Sequence, residues 1–324
     1  MGTVRFVRVA VILPLVLISG CAATGPALTV PGEGGFPIRV DLEQTPFFPQ
    51  VEYQCGPAAL ATVLGASGLS VAPAELAQEV YLPGRQGSLQ PELLASARGR
   101  DRLPYELPPT SDAIIYQLAA GIPVLVMQKL GAGLWPGWHY AVVVGYDVET
   151  QTFLLRSGTE RRQETSATRF LATWDRADRW AIVLLRPGQM PGDPDAGRYV
   201  EAAAALEAVG RIDAATVAYQ AAATRWPHDS LPRMALGNVA LTRGDLAAAE
   251  SDYRQAIELD RENVAAHNNL AEVLLRRGCT GAARSETEIA TRLAGTGPLA
   301  AAVDDTAVRV AAAGSSDEQG CPAP

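Results

Sequence analysis

The stretch Gln50-Val51-Glu52-Tyr53-Gln54-Cys55-Gly56-Pro57-Ala58-Ala59-Leu60 decides how the first half of this chain is read. Pro57 suits a first helical turn and apolar residues follow at helical spacing, so the pattern predicts a helix over 55–66. Cys55 then stands at a helix N-terminus, where unpaired backbone N–H groups carry partial positive charge and favour a thiolate. A nucleophilic thiol also needs a base. The chain has three histidines, His139, His228 and His267, and the last two fall in its helical second half. That leaves His139, which heads the apolar run Tyr140-Ala141-Val142-Val143-Val144-Gly145-Tyr146 and would sit on a rigid strand end. The blander alternative is a small buried cysteine and a histidine that merely ends a strand.

Working outward, helices are expected at 55–66, 72–80, 89–98 and 111–120. Strands are expected at Pro123–Lys129, His139–Tyr146, Thr152–Arg156 and Trp180–Leu185, with a short hairpin connection at Asp147–Gln151. Helices first and a mostly antiparallel sheet afterwards make an α+β layout for residues 41–187. The breaker-rich run from Arg186 to Pro194 reads as a linker over 188–195. The Gly- and Pro-rich residues 21–40 read as a tether.

From Ala196 onward the sequence is rich in helix formers and repeats itself. Gly210, Gly244 and Gly278 recur at a fixed interval, and so do Ala215, Ala249, Ala283 and Ala222, Ala256, Ala290. Tyr219 and Tyr253 keep the register, and Thr287 breaks it. The period resembles that of tetratricopeptide repeats, which implies three helical hairpins over 196–298 that bind a protein partner. Residues 299–324 read as a capping helix and a disordered tail.

The residues around Cys55 and His139 together resemble the C39 family of papain-like cysteine peptidases, over roughly 45–187. That resemblance implies a papain-like fold and peptide-bond hydrolysis through a thioester. Cys55 would be the nucleophile, His139 the base and then the acid, and Gln50 with the Cys55 N–H the oxyanion hole. Gln54 is the other candidate donor. The family commonly uses an Asp to orient the histidine; here Ser157 stands nearest that position. Glu160 is a second possibility, whereas Asp147 lies too far along the strand. Without a carboxylate there, two further readings follow: a weak or inactive domain serving as a binding or assembly factor, and an acyltransferase using the same thioester.

The N-terminus points to export. Arg5 and Arg8 precede an apolar run, Val9–Ile18, too short to span a bilayer comfortably. It ends in Leu17-Ile18-Ser19-Gly20-Cys21, which resembles the lipobox of bacterial lipoproteins. The resemblance implies a signal peptide over 1–20, a lipid on Cys21, and a place in the cell envelope at the outer membrane facing the periplasm. In such an oxidising compartment Cys279 and Cys321 could form a disulfide. The formal charge of −8 argues against nucleic acid as a partner. No His/Cys cluster has metal-ligand spacing, so neither a metal nor another cofactor is expected. Trp135-Pro136-Gly137-Trp138 could line a substrate cleft or only pack against the sheet, and Arg161-Arg162 reads as a solvated charge pair.

Overall fold

The computed structural model describes residues 2, 27–31, 35–50, 53–131, 137–314 and 321. The expected signal peptide, Cys21, Trp135 and Pro136 lie outside the described residues. Seven strands form one antiparallel sheet: β1 (Arg39–Asp41), β2 (Leu103–Glu106), β3 (Val124–Leu130), β4 (Gly137–Asp147), β5 (Thr152–Ser157), β6 (Glu160–Ser166) and β7 (Ala181–Leu185). Their order is β2-β7-β3-β4-β5-β6, with β1 paired to β4. Along one edge of β4, β3 covers the first seven residues and β1 the last three, Gly145–Asp147. β1 comes so close that a Cβ on Gly145 would lie 2.2 Å from the Val40 carbonyl oxygen, and the β4–β5 register shifts beside this glycine.

Strand alternation divides the core between the two faces of the sheet. Leu125, Met127, Tyr140, Val142, Val144, Leu154 and Ile182 face α1 (Cys55–Ala66), α2 (Pro73–Val80) and α3 (Gln90–Arg98). Val124, Val126, Ala141, Val143, Phe153, Leu155 and Val183 face α4 (Ser111–Ala119) and α5 (Ala167–Asp175). All four expected helices and all four expected strands are present with small shifts at their ends. β1, β2, β6 and α5 were not anticipated. β6 carries Glu160-Arg161-Arg162-Gln163-Glu164-Thr165-Ser166 at the sheet margin, mostly exposed, so Arg161 and Arg162 are solvated as expected but belong to an edge strand.

The second half is all helical: α6 (Ala196–Ala208), α7 (Ile212–Arg225), α8 (Ser230–Thr242), α9 (Leu246–Leu259), α10 (Val264–Arg276), α11 (Thr280–Ala294) and α12 (Ala300–Ala312). The first six form three hairpins. Gly210, Gly244 and Gly278 adopt φ of 78°, 77° and 81° just past α6, α8 and α10, which explains their periodic recurrence. Asp195, Asp229, Asp245 and Asn263 cap α6, α8, α9 and α10 with their side-chain oxygens. Cys279 and Cys321 are joined by a disulfide.

Two connecting segments lie against the sheet domain. Just past the expected linker, Tyr199, Ala203 and Leu206 of α6 share a core with Leu103, Tyr105 and Leu185 of the sheet. The Gly192 N–H donates to the Gln117 side chain (2.9 Å) and the Asp195 N–H to the Tyr105 hydroxyl (3.2 Å). The expected tether is anchored within its length too. Leu28 is buried and exchanges hydrogen bonds with the Gln151 amide, and Phe36 meets Tyr116 edge-on. An apolar side chain offered a groove on the sheet domain docks there rather than staying in water.

Candidate active site

The site lies where β4 and β5 part company. Their ladder runs from Asp147↔Thr152 to Val142↔Arg156, leaving His139–Ala141 beyond it. Gln50 fills the gap: its Nε2 donates to the Tyr140 carbonyl (3.0 Å) and its Oε1 accepts from the Gly158 N–H (2.9 Å). Its own N–H donates to the Gly158 carbonyl (2.8 Å). Gln50 is thus a clamp holding both strand ends, and among the described residues one Nε2 hydrogen has no acceptor.

Cys55 opens α1 and is half-buried against the core. Gln54, at the N-cap, makes no side-chain cap bond, and the first turn holds no acidic residue, so no side chain of that turn competes with the thiol for its N–H groups. The next residue must be small: a Cβ on Gly56 would lie 2.5 Å from Ser88 Oγ and 2.6 Å from its Cβ. Burial pushes the Cys55 thiol above its ordinary pKa, while the backbone N–H groups of Tyr140, Gly56 and Cys55 pull the other way. The Tyr140 N–H belongs to the peptide that joins it to His139, so Cys55 sits beside the histidine's own backbone.

His139 hydrogen-bonds through Nε2 to Ser157 Oγ (2.9 Å). Of the three residues weighed for orienting it, Ser157 makes the contact. Glu160 is exposed on β6, and Asp147, at the far end of β4, accepts from the Thr150 N–H and lies 3.8 Å from Arg39. Burial lowers the His139 pKa, as it raises that of Cys55. Both shifts favour neutral thiol and neutral imidazole at rest. Tyr140 turns its ring to the α1 side, where burial raises its phenol and the Cys55 and Glu92 charges raise it further. Trp138, 53% exposed, stands at the rim with Lys129 Nζ 5.1 Å from its ring centre. The peptide amide of Tyr140, Gly158 and Lys129 were not singled out from sequence, because backbone groups and a cross-strand neighbour acquire meaning only in register. Among the described residues, no group of three or more His, Cys, Asp and Glu side chains gathers to hold a metal.

Residues 42–182 match the Peptidase_C39 like family, and residues 237–278 match the TPR repeat. No curated protein matches the chain. Among solved structures, a C39-like peptidase from Bacillus anthracis is 17% identical over 46% of this chain and 98% of its own, with a TM-score of 0.38. The type III secretion translocator chaperone SycD of Yersinia enterocolitica is 21% identical over 36% of this chain and 83% of its own, with a TM-score of 0.34. The TPR2B domain of yeast Sti1, in a pHsp70 complex, is 18% identical over 36% of this chain and 96% of its own, with a TM-score of 0.35. Residues 42–182 of the protein therefore form a domain of the Peptidase_C39 like family, and residues 237–278 belong to a TPR repeat.

Proposed function

We propose that the protein is a cysteine peptidase of the cell envelope, with Cys55 as nucleophile and His139 as base. The observation that carries this reading is the His139–Ser157 hydrogen bond on the strand whose next peptide N–H, that of Tyr140, reaches Cys55 at the start of α1. With Nε2–H donating to Ser157, the Nδ1 lone pair is free to take the Cys55 proton as sulfur attacks a peptide carbonyl. The resulting imidazolium then protonates the leaving amine, and water releases the thioester. The Cys55 N–H and the remaining Nε2 hydrogen of Gln50 would hold the oxyanion. Because both groups rest neutral, proton transfer accompanies attack rather than preceding it.

The repeats would bind a protein partner on their helical surface. Cys21 would carry the lipid, and the Cys279–Cys321 disulfide suits the oxidising side of a membrane. No helix of the described residues is long and apolar enough to cross a bilayer.

The test is cleavage of a peptide library by the full-length protein, compared with Cys55→Ala and His139→Ala. Activity that falls by at least about 100-fold in both variants supports the reading; cleavage that survives Cys55→Ala removes it. The neutral resting pair favours one rival, a binding or assembly factor with a silent site. That rival requires no cleavage and partner capture that Cys55→Ala leaves intact.

A further inference from the structure

Lys129 is the only lysine in a sequence with 27 basic residues, and it lies one residue along β3 from the partner of His139. In the β3–β4 ladder Gln128 faces His139 and Lys129 faces Trp138. Facing residues of neighbouring strands are about 5 Å apart, which puts Lys129 at the rim of the site. Alternation gives Lys129 and Trp138 the same sheet face as Met127 and Tyr140, the face on which α1 carries Cys55.

The sequence has 35 acidic residues, yet no carboxylate pairs with Lys129 among the described residues. Its Nζ instead rests over the exposed Trp138 ring. A cation–π contact at an exposed site steadies an ammonium weakly and uses none of its N–H donors. A second cation reinforces the field: Arg176 donates from Nε (3.3 Å) and Nη2 (2.8 Å) to the Lys129 carbonyl. The neighbouring carboxylate, Asp175, is taken by Arg179. The result is a positive, aromatic-backed shelf on the sheet face that carries Cys55, with no acceptor for the ammonium among the described residues.

We infer that Lys129 on its Trp138 platform is a carboxylate-recognising subsite, which selects substrates bearing a carboxylate next to the bond that Cys55 attacks. The inference rests on Cys55 as the reactive nucleophile but does not require hydrolysis. The carboxylate is either an acidic side chain or the free C-terminus of a peptide. Lysine suits both, since its ammonium is a compact point charge with three donors.

The test uses the full-length protein and reads alkylation at Cys55 by peptide mass spectrometry, comparing anionic iodoacetate with neutral iodoacetamide. A fixed positive charge at this range favours the anion by about fivefold at low salt, an advantage that shrinks in 1 M salt. Lys129→Met is expected to abolish that preference, read as the ratio of the two rates so that a change in thiolate fraction cancels, and Lys129→Arg to keep it. A preference that persists in Lys129→Met overturns the subsite alone. A Cys55 inert to both reagents overturns the nucleophile and the subsite together. Protection of Cys55 then separates the sources: amidated peptides with an internal Asp or Glu, neutral peptides with a free C-terminus, and neutral amidated peptides as baseline. Protection by one charged set, lost in Lys129→Met, names the carboxylate; no charged set exceeding the baseline overturns the proposal.

Discussion

At the residue scale, a serine stands where a carboxylate would back the proposed base, His139. Ser157 is buried and in contact with His139 Nε2, so it fixes ring orientation, yet it brings no charge to stabilise an imidazolium. Removing one neutral hydrogen bond is worth about 1 kcal/mol. Ser157→Ala should therefore slow substrate turnover only about fivefold with KM nearly unchanged, and Ser157→Asn should restore part of the loss. A collapse as deep as that of His139→Ala would mean the hydroxyl does more than orient. The Ser157–His139 contact could be anticipated from the C39 resemblance, which put Ser157 nearest the orienting position with Glu160 as a second possibility. The clamp role of Gln50 could not. Its two bonds, to Tyr140 and Gly158, exist only because β4 and β5 diverge there, a feature of register that composition does not carry.

At the element scale, strongly patterned segments were legible and weakly patterned ones were not. α1 and β4 have long apolar runs, whereas β6 is an edge strand of mostly exposed polar residues and β1 has three residues. Repeat periodicity also marked α6 to α11, but it did not reveal the charged latch inside them. His267 of α10 contacts Glu286 of α11 through Nδ1 (2.6 Å) and the Arg261 carbonyl through Nε2 (3.1 Å), so both ring nitrogens face acceptors. The Glu286 carboxylate raises the His267 pKa; burial, and the Arg292 charge more weakly, oppose it. A raised folded pKa contributes stability that is fully present below the unfolded value of about 6.5 and is lost as pH rises through the folded value. The melting temperature of the full-length protein should accordingly fall as pH is raised across that window, and His267→Gln should flatten the fall. An unchanged pH slope in His267→Gln would show that the latch stores no protonation energy.

At the scale of the whole molecule, the two halves share one core on the sheet face opposite α1. Repeats packed there lie across the sheet from α1 and Cys55, an arrangement that fits the proposed docking role away from the cleft. Breaker-rich composition at 186–194 did not foretell this contact, because Pro and Gly report backbone conformation and Tyr199 reports packing. Tyr199 is fully buried at the junction, so Tyr199→Ala should cost about 3 kcal/mol and split a single urea transition into two. A destabilised but still single transition would mean that other contacts suffice to couple the halves.

The most direct measurement of the central claim is the rate of Cys55 alkylation by iodoacetamide in the full-length protein across pH 4–10, beside His139→Ala. Burial holds the thiol above its ordinary pKa, so labelling should keep rising past the range of a free thiol, near 8.5. At pH 7 the imidazole should still quicken it at least about tenfold over His139→Ala by taking the proton as sulfur attacks. Identical rates and pH profiles in the two proteins would contradict the account, leaving Cys55 as a packed thiol and the function with the repeats.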